Sequence, residues 1–218
     1  YQSFFEQMPD SKLNFLIYNR RRPAFWNFQS YNLIKRSGCL AETENSLLDA
    51  KLKKIILNGK RQIEIKISDL FSKESFFKSF FSLEEISFWS TFKEFFQEYF
   101  RKRALEFIQE VELTKKLMEK YDFSSILILS EAGLHERIAL QLAYQKQIPV
   151  CLVQHGINYN TKESYDMNVA KGALPIKSDY YLCWGRISGE YSKKMAIKSE
   201  KVHPIGSAVF DGVTFDEQ

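Results

Sequence analysis

The sequence predicts an α/β protein with a Rossmann-like parallel sheet, flanking helices and a phenylalanine-rich helical insertion. Short continuous apolar runs at 126–129 and 148–153 are typical of parallel strands that are covered on both faces. A stretch of helical length separates them, and Leu134, Ile138 and Leu142 mark one face of it. Strand, helix and strand in this order form the repeating unit of a parallel sheet.

The amino-terminal part predicts the sheet less clearly. Residues 13–18 predict a first strand and residues 28–35 a helix. Residues 47–57 predict a further helix, or a helix that runs into a strand. Gly59 then interrupts the pattern, and residues 63–67 alternate apolar and polar side chains, which predicts a half-exposed strand.

A phenylalanine-rich stretch follows. Residues 71–107 hold 11 of the 19 phenylalanines, several of them at helical spacing with charged residues between. We expect a helical insertion at about 71–120 that buries these rings against the sheet or against each other. The alternative is a wall for a lipid-linked acceptor or a membrane-surface contact.

The carboxyl-terminal part continues the alternation of strands and helices. Pro149 begins a strand, where its missing N–H is tolerated. The loop 157–177 is long enough to be functional. Residues 179–184 predict the next strand, 188–197 a short helix and 202–205 the last strand.

Composition excludes several classes of protein. The net charge of +4 is mild and gives no reason to expect nucleic acid. No run approaches the roughly 18 apolar residues of a membrane span. Cys39, Cys151 and Cys183 lie far apart, which indicates reduced thiols and a cytoplasmic, possibly membrane-peripheral, protein. Three histidines without zinc-ligand spacing argue against a metal site, and we expect no cofactor.

Polar residues and glycines follow each predicted strand, where ligands bind in open parallel sheets. The candidate substrate-binding residues here are Ser130, Gln154, Gly156, Gly185, Gly206 and Ser207. His155 is the candidate general base, since the pKa of an unperturbed histidine lies near neutrality. Glu131 can orient it and is the second catalytic candidate. The alternative for His155 is a packed, hydrogen-bonded side chain, and we expect His135 and His203 to be structural.

Three consecutive arginines, Arg20, Arg21 and Arg22, follow the first predicted strand. Guanidinium groups there can bind phosphate or carboxylate through paired hydrogen bonds. We therefore expect the cluster to face the same cleft as His155, and a solvated charge cluster is the alternative.

Three segments in this order resemble the amino-terminal domain of GT-B glycosyltransferases. They are Ile148-Pro149-Val150 with His155-Gly156, then Asp179 with Trp184-Gly185, then Val202 with Gly206-Ser207 and Asp211. Within that group the chain resembles surface-polysaccharide and CDP-glycerol glycerophosphotransferase-like enzymes, and more distantly UDP-N-acetylglucosamine 2-epimerases. The resemblance covers about the last 90 residues. The chain departs from the pattern at Ser207-Ala208-Val209, where a proline is common.

The resemblance implies two Rossmann-like domains with the reaction in the cleft between them. Residues 1–211 would form the acceptor-side domain, and 212–218 would begin the linker to a carboxyl-terminal nucleotide-sugar domain. The implied partners are a nucleotide-activated sugar, which is a substrate rather than a cofactor, and a polysaccharide or lipid-linked acceptor. The expected function is transfer of a sugar or polyol phosphate. The alternatives are a non-catalytic α/β ligand-binding module and a nucleotide-sugar 2-epimerase.

Overall fold

The computed structural model describes residues 13–20, 25–157, 161 and 164–207, and the chain divides into two compact units. The first unit comprises residues 1–47 and 120–218, and the second comprises residues 48–119. The first unit contains parallel sheets with flanking helices, so the predicted α/β class is confirmed. The second unit is mainly helical.

The first unit contains six strands and five helices within its described residues. In chain order these are β1 (Leu16–Asn19), α1 (Phe28–Arg36), β2 (Leu40–Thr43), α2 (Glu44–Leu47), β5 (Ile126–Ile128), α6 (Leu134–Gln145), β6 (Val150–Val153), α7 (Tyr165–Ala170), β7 (Tyr180–Cys183), α8 (Arg186–Lys194) and β8 (Val202–Pro204). The elements missing from this series, α3 to α5 and the short strands β3 and β4, belong to the second unit. A short 3₁₀ turn at Ser199–Lys201 precedes β8.

The main sheet is parallel throughout, with the strand order β5-β6-β7-β8. Its register pairs Ile128 with Leu152 and Val153 with Leu182. Buried side chains of the core include Leu152 and Tyr181. Because a helix lies between each pair of sequential strands, all four strands end at the same edge.

Two elements of the first unit have no clear sequence signal. Strand β2 has the sequence Leu-Ala-Glu-Thr, which is poor in β-branched residues, and it forms a separate two-stranded parallel sheet with β1. Pairing along β1 is what stabilises it as a strand. Helix α7 lies within the loop predicted at 157–177 and is only six residues long.

A buried carboxylate ties β2 to the segment that precedes β5. Glu42 is 4% exposed and accepts hydrogen bonds from Lys120 Nζ at 2.5 Å, from Tyr121 Oη and from Ser46 Oγ. Burial by itself would raise the pKa of Glu42, but these three hydrogen bonds outweigh it and hold the pKa below its ordinary value. The hydrogen bond to Glu42 also raises the pKa of Lys120.

The second unit is an antiparallel helical hairpin. Its elements are α3 (Ala50–Ser72), α4 (Glu74–Phe80), the two-residue strands β3 (Ser82–Leu83) and β4 (Ile86–Ser87), and α5 (Trp89–Lys120), whose last residue is counted with the first unit. One arm of the hairpin is α3 with α4, and the other arm is α5. Four side-chain pairs connect them, and the partner on α5 lies earlier in the chain as the partner on the first arm lies later: Lys116–Asp49, Lys60–Gln109, Arg101–Glu64 and Lys93–Glu74.

The predictions for residues 59–67 are wrong, because this segment lies inside helix α3. Gly59 does not interrupt the chain. A Cβ at this position would lie 2.9 Å from Ile108 Cγ2, so glycine lets the two arms approach closely. The period-two alternation at 63–67 also fits a helix, in which Ile63 and Ile67 share one face and Ile65 is 71% exposed.

The phenylalanine-rich segment is helical over most of its length, but most of its rings are not buried. Phe77 and Trp89 are buried and stack at 4.6 Å, with Phe81 stacked on the same indole at 5.4 Å. Six of the eleven phenylalanines are exposed: Phe76, Phe80, Phe88, Phe95, Phe100 and Phe107. The prediction that these rings are mainly buried is therefore wrong.

The rings are exposed because α5 is 32 residues long and one face of it is buried in its later part but exposed in its earlier part. At about 100° per residue, Phe95 and Tyr99 of α5 lie on the same helix face as Leu113 and Leu117, and Phe88 directly precedes the helix. The leucines are buried and the three aromatic rings are exposed. We call Phe88, Phe95 and Tyr99 the aromatic stripe. None of the described helices is long and apolar enough to cross a lipid bilayer.

Replacing Glu42 by glutamine should lower the free energy of unfolding by about 1–3 kcal/mol near neutral pH, because a charged acceptor becomes a weaker neutral one. The pKa of Glu42 is lower in the folded chain than in the unfolded chain. The wild-type advantage is thus complete above the unfolded pKa and is lost as the pH falls through the folded pKa.

Urea unfolding of wild type and E42Q across the acid range measures this difference. The control is E200Q, because Glu200 is well exposed and its ion pair within the described part of the chain is a loose one with Lys198, at 3.9 Å. A difference between wild type and E42Q that stays constant into strong acid contradicts the assignment.

Candidate functional site

The carboxyl ends of β5 to β8 meet at one edge of the main sheet, as the sequence predicted. This edge therefore gathers the candidate residues Ser130, Glu131, Gln154, His155, Gly156, Gly185, Gly206 and Ser207. These residues have different roles. The side chains of Gln154 and Glu131 form hydrogen bonds with the backbone, whereas the ring of His155 is exposed.

A small cavity opens directly after β6. It has a volume of about 90 Å³ and is lined by Gln154, His155, Gly156, Ile157, Asn168, Lys171 and Ala173. His155 is exposed, and none of the described residues hydrogen-bonds to its ring. Since pockets that enclose a whole small molecule have roughly 300–1,000 Å³, this cavity can accept one group of a larger ligand.

Gln154 braces the ends of two strands. Its side chain is 6% exposed, and its Oε1 accepts a hydrogen bond from the backbone N–H of Trp184 at 2.8 Å. Its Nε2 donates to the carbonyl oxygen of Gly156, also at 2.8 Å. Both ends of the amide are thus used, and Gln154 fixes the backbone beside His155 rather than binding ligand with its own side chain.

Glu131 has a bracing role of the same kind. Its buried carboxylate accepts hydrogen bonds from the backbone N–H groups of Lys177 and Ser178, the latter at 2.7 Å. These contacts hold the segment that leads into β7. Glu131 is not among the residues that line the cavity beside His155, and its predicted role in orienting that histidine stays a prediction.

Gly172 is a key residue that the sequence analysis missed. Its φ is +65°, and a Cβ there would lie 2.2 Å from the backbone nitrogen of Ala132. Its carbonyl oxygen accepts a hydrogen bond from Glu131 N at 2.9 Å. Next to it, Ser130 Oγ donates to the carbonyl oxygen of Lys171, so residues 171–172 are held against the turn after β5. A glycine directly beyond a short helix is the signal that could have identified it.

Three other glycines leave the edge open. A Cβ added at Gly156, Gly185 or Gly206 would meet no atom of the described residues within 4 Å. Gly206 has a φ of +89°, which favours glycine for conformational reasons. At Gly156 and Gly185 neither backbone strain nor a contact with the described residues requires glycine. Ser207, the last described residue of the edge, is half-buried.

The arginine cluster is described only in part. Arg20 forms an ion pair with Glu44, and its guanidinium lies 5.8 Å from the ring centre of Tyr18. Arg21 and Arg22 lie outside the described residues. Because β1 belongs to the separate two-stranded sheet, the expectation that the cluster faces the cleft of His155 stays a prediction.

The remaining cysteine and histidine side chains of the sheet offer no clear reactive group. Burial raises the pKa of the Cys151 and Cys183 thiols, which keeps them protonated and unreactive near neutral pH. His203 is exposed in β8, with its ring 5.5 Å from that of Tyr180. Among the described residues, no group of histidines, cysteines and carboxylates is arranged to hold a metal ion.

Gly172→Ala should destabilise the chain by about 2 kcal/mol or more, since a left-handed residue with a Cβ costs about 1–2 kcal/mol and the clash with Ala132 adds to it. The matched control is Gly38→Ala. Gly38 has a φ of +74°, but a Cβ there has open space. Thermal melts of both variants separate the clash from the backbone strain, and equal losses of stability would show that the contact at Ala132 contributes nothing.

No family model matches this chain, and no curated protein or solved structure matches it at a significant level. The functional assignment therefore depends on the residues at the edge of the sheet.

Proposed function

We propose that this chain is the acceptor-side domain of a GT-B glycosyltransferase-type enzyme. The reaction would move a sugar or polyol phosphate from a nucleotide-activated donor to a cell-surface polysaccharide or a lipid-linked acceptor. The observation that supports it best is His155, whose exposed ring follows a buried parallel strand and lines the cavity at the carboxyl edge. Acceptor chemistry needs a proton acceptor at such a position.

His155 would act as the general base in this reaction. The acceptor hydroxyl oxygen attacks the transferred group, and its proton passes to the neutral imidazole. The bond to the donor phosphate breaks, and the nucleotide leaves with that electron pair. In this proposal Gln154 is a positioning residue, because its hydrogen bonds fix the backbone on both sides of the site.

A non-catalytic ligand-binding module is the second candidate. The observation that favours it is Glu131, whose carboxylate is occupied by two backbone N–H groups, so that none of the described carboxylates pairs with His155. Such a module would use the same open edge to hold a ligand without turning it over.

His155→Ala should lower kcat about 10²–10⁴-fold, the usual contribution of a positioned base, and leave the melting temperature unchanged because the side chain is exposed. The measurement requires the protein that carries the donor-binding half as well, since the 218-residue chain alone is expected to turn over nothing.

His203→Ala is the matched control, because His203 is also exposed and lies on β8 of the same sheet. A near-normal rate in H155A removes the base from the mechanism. Activity lost together with a large fall in melting temperature assigns His155 a structural role.

We propose in addition that the aromatic stripe, which spans the start of α5 and the residue before it, contacts a lipid surface, as a lipid-linked acceptor would require. Phe88, Phe95 and Tyr99 are 45%, 71% and 55% exposed. Lys93 lies on the same helix and is paired with Glu74 of α4. Aromatic rings on one face of an amphipathic helix suit the boundary between lipid headgroups and acyl chains.

Replacing the three residues of the aromatic stripe by serine should weaken binding to phosphatidylcholine–phosphatidylglycerol vesicles at least about tenfold, since each buried ring contributes roughly 1.5–3 kcal/mol. Co-sedimentation measures this, with Tyr144→Ser as the control because Tyr144 is 79% exposed on α6 of the first unit. Absence of vesicle binding by the wild type, or a dimer that the triple variant abolishes, contradicts the proposal.

A further inference from the structure

The outer face of helix α3 carries a row of cations. Lys51, Lys54 and Arg61 follow each other at intervals of three and seven residues, so they lie within about 80° of one another around the helix. We call these three residues the basic row. All three are exposed, and none of them forms an ion pair with another described residue. The basic row lies on the opposite side of α3 from the buried side chains of Leu52 and Ile56.

The described carboxylates near the basic row do not offset its charge. Residues 50–62 contain five lysines and arginines and no aspartate or glutamate. Asp49, just before the helix, accepts a hydrogen bond from the N–H of Leu52 and forms an ion pair with Lys116. Glu64 is paired with Arg101 of α5. The positive charge of the basic row is therefore uncompensated within the described part of the chain.

The two lysines of the basic row occupy positions that a helix disfavours. The amino-terminal end of a helix carries a partial positive charge, and like charges three residues apart repel each other. Lys51 lies in the first turn of α3, which contains no acidic residue, and Lys54 follows it by three residues. Stabilisation of α3 therefore does not account for these charges, whereas attraction of an anionic partner does.

The shape of the basic row limits which anions it suits. An α-helix rises 1.5 Å per residue, so the row extends over about 15 Å from Lys51 to Arg61. Asn58 lies between Lys54 and Arg61 on the same exposed face and adds an amide group. A straight, convex row cannot enclose a small molecule. It matches a linear chain that carries an anionic group in each repeat and polar groups between them.

The other side chains of α3 separate such a chain from two other polyanions. The exposed Ile55 and Leu57 lie on either side of the basic row, so α3 has no single apolar face that could enter an anionic bilayer. Residues 50–70 contain no aromatic ring on which nucleobases could stack. A hydrophilic polymer fits this face better than a membrane or a nucleic acid does.

We propose that the basic row binds a linear anionic polymer, either an acidic polysaccharide or a polyol-phosphate chain. The inference rests on the proposed function only in taking this polymer to be the acceptor of the transferred group. The basic row would hold repeats of the acceptor chain without contacting the reacting atoms, and so would raise the concentration of acceptor ends near the enzyme.

The test measures binding of the 218-residue chain to labelled poly(glycerol phosphate) and to hyaluronan oligosaccharides, with dextran as the neutral control. The affinity should rise steeply with polymer length until the polymer spans the roughly 15 Å of the basic row, and only slowly beyond it. Dextran should not bind. Tighter binding of poly(glycerol phosphate) identifies phosphate as the recognised anion, and tighter binding of hyaluronan identifies carboxylate.

Replacing Lys51, Lys54 and Arg61 together by glutamine should weaken binding of the polymer at least about tenfold at low salt. The slope of log K against log salt concentration should fall by about two to three, since each ion pair with a nucleic acid chain contributes roughly 0.7–0.9. The melting temperature should not fall, because these charges do not stabilise α3.

The matched control replaces Lys35, Lys146 and Lys194 by glutamine. These three lysines are exposed, lie at separate places in the first unit and form no ion pair among the described residues. The inference is overturned if this control loses as much affinity as the variant of the basic row, or if dextran binds as tightly as the anionic polymers. It is also overturned if the basic row contributes more to binding of anionic vesicles or duplex DNA than to binding of either polymer.

The two proposals can fail separately. Polymer binding that depends on the basic row, together with a normal rate in His155→Ala, supports the polymer site and refutes the catalytic base. An inactive His155→Ala enzyme whose basic row ignores both polymers supports the base and refutes the polymer site.

Discussion

Parallel strands that end together leave backbone groups without partners at one edge, and the structure of the site depends on how these groups are satisfied. One buried side chain does this at the ends of β6 and β7, where the amide of Gln154 accepts a hydrogen bond from the N–H of Trp184 and donates one to the carbonyl of Gly156. The carboxylate of Glu131, which follows β5, accepts two backbone N–H groups of the segment that leads into β7. Beside the brace formed by Gln154, the described residues His155 and Gly156 line one small cavity.

The sequence predicts the main sheet well, because its strands are continuous apolar runs separated by a helix with an evident apolar face. It predicts the edge as the place of the site for the same topological reason. It does not distinguish Glu131 as a brace from Glu131 as a catalytic group, since a carboxylate beyond a strand suits both roles. Gly172 is invisible to the same reasoning, because the need for glycine comes from the backbone of Ala132, forty residues earlier in the chain.

The helical hairpin shows a different limit. Period-two alternation over five residues fits a strand and also one side of a helix, and only pairing with the opposite arm decides between them. The arms are matched by charged and amide pairs such as Lys60–Gln109 and by the close approach at Gly59, none of which a local pattern reveals. The sequence overestimates the burial of the phenylalanines. Composition gives only the number of rings, whereas their burial depends on how much of the 32-residue helix packs against other residues.

The side-chain amide of Gln154 donates a hydrogen bond at one end and accepts one at the other, so its orientation is fixed. A half-turn of the group would set its NH₂ against the N–H of Trp184 and its oxygen against the carbonyl of Gly156, two repulsive contacts in place of two attractive ones. A glutamate would keep the first contact and repel the carbonyl. The polarity of the peptide beside His155 is therefore dictated by a neighbour that donates at one end and accepts at the other, and any substitution lacking that asymmetry would release the peptide to rotate.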